Sequence, residues 1–155
     1  MIKNINTKKG FTLLAAIVTT SMLLLVSFVV SNVALKQLVI SYFNQESQFA
    51  FYNADSGIEC ATYWDLKTPP GLFDPYVPAV NVSCSGQSVA QVRSANASYA
   101  TSSITINLPK GCFKVDVVKT LGAATTTKID SRGYNNCVAN AFRKVERGVT
   151  ITYQN

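Results

Sequence analysis

Histidine does not occur in this chain. Its absence excludes an ordinary Ser-His-Asp or Cys-His catalytic centre and removes the commonest metal ligand. The four cysteines, Cys60, Cys84, Cys112 and Cys137, form no CxxC pair, so the close Cys/His spacing of zinc sites is missing. No glycine-rich phosphate loop is present, and the acids lack the ligand spacing of a calcium loop. Asp65 and Asp74 flank a loop without marking a carboxylate pair. The expectation is a protein that is not an enzyme and holds no cofactor and no metal. Two further absences are positional. Residues 11–35 carry no charge, and residues 11–56 contain neither glycine nor proline, the two strongest helix breakers.

What fills that breaker-free stretch is KKGFTLLAAIVTTSMLLLVSFVV at 8–30. Roughly 20 apolar residues suffice to cross a bilayer as a helix, and residues 11–35 exceed that. A secretory signal has an apolar core of about 7–15 residues closed by a small-x-small cleavage site. Here the core is too long, and SNVAL at 31–35 is a poor site. The 14 Lys and Arg against 8 Asp and Glu give a formal charge of +6, half of it from Lys3, Lys8 and Lys9. Positive charge before the run holds the N-terminus on the cytoplasmic side. The remaining 11 basic and 8 acidic residues leave +3, too mild to argue for nucleic acid.

Past Leu35 the helical pattern continues in a different character. Leu35, Val39, Tyr42, Ala50, Ala54, Gly57, Ala61 and Trp64 recur mostly at three- and four-residue steps, marking one face of an amphipathic helix. Glu46 interrupts the face. The small residues at 50, 54, 57 and 61 let another layer of backbone come close. Residues 12–66 therefore read as one helix on the order of 80 Å long, lipid-compatible all round in its first half and apolar on one face in its second.

With that helix in place, Lys8-Lys9-Gly10-Phe11-Thr12-Leu13-Leu14 resembles the leader junction of a type IV pilin or pseudopilin precursor with a short class III-type leader. The resemblance covers about 55 residues; beyond them it is one of architecture only. It implies cleavage between Gly10 and Phe11 by a membrane-embedded prepilin peptidase, N-methylation of Phe11, and passage through an inner-membrane assembly platform. It also implies other pilin subunits as partners, packed through the N-terminal helix. Localisation follows: a single-pass precursor in the cytoplasmic membrane with its C-terminal domain outside, then an extracellular filament. The implied fold is α+β, one long N-terminal helix on a small antiparallel sheet. Its parts are a leader at 1–10, a membrane or filament-core half at 11–35, an amphipathic half at 36–66 and a β-rich domain at 67–155.

One position departs from the family. Its members normally have glutamate fifth in the mature chain, where this sequence has Ala15. A carboxylate in a bilayer costs about 2.5–3.5 kcal/mol on insertion scales. The family is understood to retain it as partner for a neighbouring subunit's N-terminal ammonium. Alanine avoids the cost and loses the partner, which favours a minor, tip or initiating subunit over the major one. Tyr52-Asn53-Ala54-Asp55-Ser56-Gly57-Ile58-Glu59 resembles the A-x-x-A/S-G-x-E stretch of some minor pilins and of the large tip pseudopilin. Locally, Asp55 and Glu59 read as an i, i+4 acidic pair on a solvated face. The rival functions are a pseudopilin of a type II secretion system, a membrane-anchored binding protein that never assembles, and a DNA receptor.

Thr68-Pro69-Pro70-Gly71 ends the helix, and four prolines make 68–78 a loop. Alternating runs at 80–84, 88–93, 103–108, 112–119, 125–131 and 148–153 predict an antiparallel sheet of four to six strands. VDVVKT-LGAA-TTTKID reads as a hairpin of uncertain register. An even number of cysteines outside the cytoplasm favours disulfides, and all three pairings stay open. A regular hairpin would put Cys112 opposite about residue 133, which disfavours Cys112–Cys137. Arg143, Lys144 and Arg147 form the only basic cluster outside the leader, either a solvated face or a contact for DNA or an acidic surface. Asn81-Val82-Ser83 and Asn96-Ala97-Ser98 match the N-glycosylation pattern.

Overall fold

The computed structural model describes residues 9–67, 71–138 and 141–154. Lys3 and Lys8 of the expected leader, and Thr68 to Pro70 of the expected helix stop, lie outside the described residues. The chain forms one α-helix and seven strands: α1 (Lys9–Lys67), β1 (Asn81–Cys84), β2 (Gln87–Ala90), β3 (Val92–Ala95), β4 (Tyr99–Asn107), β5 (Cys112–Thr120), β6 (Thr126–Tyr134) and β7 (Glu146–Gln154). The described helix extends to Lys67, and the next described residue, Gly71, is not helical. Two compact units divide the chain, residues 1–43 and residues 44–155.

In the larger unit, β3 to β7 form a five-stranded antiparallel meander in sequence order, and β1 pairs with β2 in a separate hairpin. The fold is α+β, with the C-terminal part of the helix packed on a small antiparallel sheet. The core joins Ile58 and Ala61 of the helix to Ile104, Ile106, Phe113, Val115, Val117 and Ile129 of the sheet, with Phe73 and Val82. The inward residues of β5 are every second one, 113, 115, 117 and 119, as the two-residue side-chain period of a strand requires.

Small residues set the helix-to-sheet distance. Ala50, Ala54 and Ala61 are buried. A Cβ on Gly57 would stand 2.8 Å from Val115 Cγ2 and collide with Ser131 Oγ. A Cβ on Gly133 of β6 would collide with the backbone of Ala50 and Ala54. The stripe expected at 50, 54, 57 and 61 is thus the packing face. Leu35, Val39 and Tyr42, the first members of the expected stripe, are exposed. Trp64, at the other end, is half-buried and donates its indole N–H to Ser83 O at 2.9 Å.

Three strand expectations differ from the structure. The run at 88–93 is two strands broken at buried Gln91, whose Nε2 donates to Val80 O at 3.1 Å. β4 begins at Tyr99 rather than 103, because its first inward residues, Ala100 and Ser102, are too small to show as an apolar alternation. The β5–β6 hairpin pairs Thr120 with Thr126 and Cys112 with Tyr134. Beyond Tyr134 the chain turns back, with Asn135 N donating to Val145 O at 3.2 Å. That turn corrects the argument from hairpin register. Cys137 is not carried away from Cys112; the two are disulfide-bonded, with Cα atoms 5.7 Å apart. The other bridge joins Cys60 to Cys84, Cα atoms 5.9 Å apart, and ties α1 to β1.

Candidate functional site

The first candidate region is the N-terminal part of α1. Helix α1 (Lys9–Lys67) runs through the Gly10–Phe11 junction. A Cβ at Gly10 would meet nothing within 4 Å. Phe11 is 76% exposed, and Ala15 is exposed. Every side chain from 10 to 45 is exposed, including Leu13, Leu24 and Phe28. Within that stretch residues 11–35 are uncharged and mostly apolar, and an exposed apolar surface of that extent marks a site for lipid or a partner. Four of its hydroxyls bond the helix's own carbonyls: Thr19 Oγ1 donates to Ala15 O at 3.0 Å, Thr20 Oγ1 to Ala16 O at 2.9 Å, Ser21 Oγ to Val18 O at 2.8 Å and Ser27 Oγ to Leu23 O at 2.8 Å. Such bonds lower the need of those hydroxyls for water. The helix's length and composition suit a membrane span.

The second region is the stretch from Tyr52 to Glu59. Asn53 is buried, and its Nδ2 donates to Lys110 O and Tyr134 O, both at 2.9 Å. One helix side chain thereby satisfies the β4–β5 turn and the end of β6. Gly111 permits the approach: its φ is +90°, and a Cβ there would lie 2.6 Å from Asn53 Nδ2. Glu59 is exposed and Asp55 half-buried, so only Glu59 matches a fully solvated acidic pair. Glu46, which interrupts the apolar stripe, accepts a hydrogen bond from Asn135 Nδ2 at 2.7 Å.

The third region was not apparent from the sequence. Asp65, 3% exposed, lies at the C-terminal end of the packing face. Its Oδ1 takes a hydrogen bond and salt bridge from Lys119 Nζ of β5 at 2.9 Å. Its Oδ2 accepts from Tyr153 OH of β7 at 2.7 Å and from Thr127 Oγ1 of β6 at 3.2 Å. Gly71, at φ +94°, passes so near that a Cβ would sit 2.8 Å from Asp65 Oδ1. One carboxylate thus binds the helix end to three strands. Burial, and then the hydrogen bond to Asp65, hold the Tyr153 phenol well above the usual tyrosine range. A signal existed in the sequence: Asp65 falls four residues after Ala61, and Lys119, Thr127 and Tyr153 each continue the inward alternation of their strands.

The basic residues Arg143, Lys144 and Arg147 are exposed but have separate neighbours. Arg147 Nε donates to Ser47 Oγ at 2.7 Å. Lys144 Nζ lies 4.4 Å from the Tyr134 ring centroid, and Arg143 lies 5.4 Å from that of Phe142. Glu146 pairs with Arg132 at 3.4 Å. Among the described residues no group of His, Cys, Asp or Glu is placed to hold a metal ion. No family model, curated protein or solved structure matches the chain.

Proposed function

We propose that the chain is a minor subunit of an extracellular type IV pilus-like filament, placed at its tip or its starting point. Cleavage between Gly10 and Phe11 releases it for assembly. The observation that carries the reading is one unbroken helix whose apolar side chains from Phe11 to Leu35 are all exposed, while its last part is buried beneath a sheet. The first part needs a greasy environment. The lysines before it hold its end at the cytoplasmic face. Removing them by proteolysis lets the helix leave lipid and pack against helices of the same kind, without a change of fold. The role is structural rather than catalytic.

Ala15 supports the tip position. A shaft subunit added below another must neutralise the N-terminal ammonium above it, and alanine offers no carboxylate. A subunit with no predecessor has no such need. Labelling of filaments with an antibody to the C-terminal domain tests the reading. Label confined to filament ends is expected for the native chain, and label along the shaft for Ala15→Glu. Native protein decorating whole filaments overturns the tip placement. Its absence from every filament overturns the assembly reading in favour of a secretion-system pseudopilin or an anchored binding protein.

A further inference from the structure

The two Asn-x-Ser sequences lie in different local structures. Asn81-Val82-Ser83 is part of β1, where Asn81 pairs with Ala90 and Ser83 with Ser88. Val82 is fully buried, and Ser83 O accepts the Trp64 indole N–H. That segment is extended and held on both sides. Asn96-Ala97-Ser98 forms the exposed turn between β3 and β4. Asn96 Oδ1 accepts from Ser98 N at 2.9 Å, Tyr99 N at 2.8 Å and Ser98 Oγ at 3.3 Å. This is an Asx-turn, closed by Asn96 N donating to Tyr99 O at 2.9 Å. Two backbone N–H donors at one end of the amide require the oxygen there. The Nδ2 end has no hydrogen-bond partner among the described residues.

We propose that Asn96, and not Asn81, is an acceptor for N-linked glycosylation. The sequence pattern requires a hydroxyl two residues after the asparagine. Only at Asn96 does the fold bring that hydroxyl onto the acceptor amide. Three donors on Oδ1 draw electron density from the amide and make an Nδ2 proton easier to lose. Transfer forms a bond between Nδ2 and C1 of a sugar. It breaks the bond from C1 to the phosphate of a lipid-linked oligosaccharide donor. The lipid phosphate leaves with the bonding electrons, and the amide proton passes to the transferring enzyme's base. The resulting glycan would stand beside β3, an edge strand of the meander, and shield backbone groups open to unwanted pairing.

This inference rests on the proposed placement of the C-terminal domain outside the cytoplasmic membrane. Trypsin separates the two sequences, because cleavage after Lys67, Arg93 and Lys110 gives peptides 68–93 and 94–110. The test is mass spectrometry of the reduced, digested full chain from its native cells, beside protease shaving of spheroplasts. Peptide 94–110 is expected mainly with an added saccharide mass, and 68–93 without one. Ser98→Ala and Asn96→Asp should return 94–110 to its plain mass, the aspartate keeping the turn, while Ser98→Thr should retain the saccharide. A glycan on 68–93, or a plain 94–110 from a domain that shaving removes, overturns the proposal alone. A domain protected from shaving overturns it together with the outward placement.

Discussion

Residues 10–43 and residues 44–67 belong to one helix but are built for different surroundings. The first set is uncharged from Phe11 to Leu35, uses Leu, Ile, Val and Phe freely, and ties the hydroxyls of Thr19, Thr20, Ser21 and Ser27 to its own carbonyls. The second buries one narrow face made of Ala50, Ala54, Gly57 and Ala61. Its buried polar residues, Asn53 and Asp65, each have named partners on the sheet. Helical conformation alone therefore does not distinguish the regions. In the first, side chains fit any greasy medium, lipid or protein. In the second, they fit a single sheet at a single distance, so substitutions should be tolerated in one and costly in the other.

The largest expected effect is at Asp65. Asp65→Ala strips Lys119 of its buried counter-charge and should cost about 3–5 kcal/mol. Denaturant unfolding of the full chain in detergent would measure it. Replacing both partners by apolar residues, Asp65→Leu with Lys119→Met, should recover most of the loss. If Asp65→Ala is neutral, the junction does not hold the helix to the sheet.

Gly57→Val comes next. Its side chain would meet Val115 and Ser131, and overpacking of this kind costs about 1–3 kcal/mol. Leu24→Ser, in the other region, should change unfolding of the sheet domain by less than about 0.5 kcal/mol. Equal losses from the two substitutions would erase the contrast between the regions.

A smaller effect concerns alkaline pH. Tyr153 keeps its proton in the folded domain to higher pH than in the unfolded chain. The stability this contributes is complete below the ordinary phenol pKa of about 10. It is lost as pH rises from there through the folded value, because the unfolded state releases its proton first. Tyr153→Phe should accordingly flatten the decline in stability above about pH 10. An unchanged slope would remove Tyr153 as its source.

Much of this contrast is legible in the residues, for stated reasons. Proline cannot continue a helix, and the helix described to Lys67 is over by Gly71. The alternation of β5 and β6 is strong enough to show their hairpin. Periodicity does not reveal the Asp65 junction, because a charged residue at an inward position looks like the end of a pattern. Only the fold shows that Lys119, Thr127 and Tyr153 meet it. Strand register disfavours the Cys112–Cys137 bridge because it says nothing about a loop that doubles back after Tyr134. Between β2 and β3, the buried Gln91 side chain bonds Val80 O, a contact that no local periodicity records.

The most direct test of the account is the first residue of the mature protein recovered from cells. Mass spectrometry of its N-terminal peptide should show a chain beginning at N-methylated Phe11. A chain that retains Met1, or that starts beyond Leu35, would mean that the helix is never freed for exchange from lipid into a filament, and would contradict the account at its foundation.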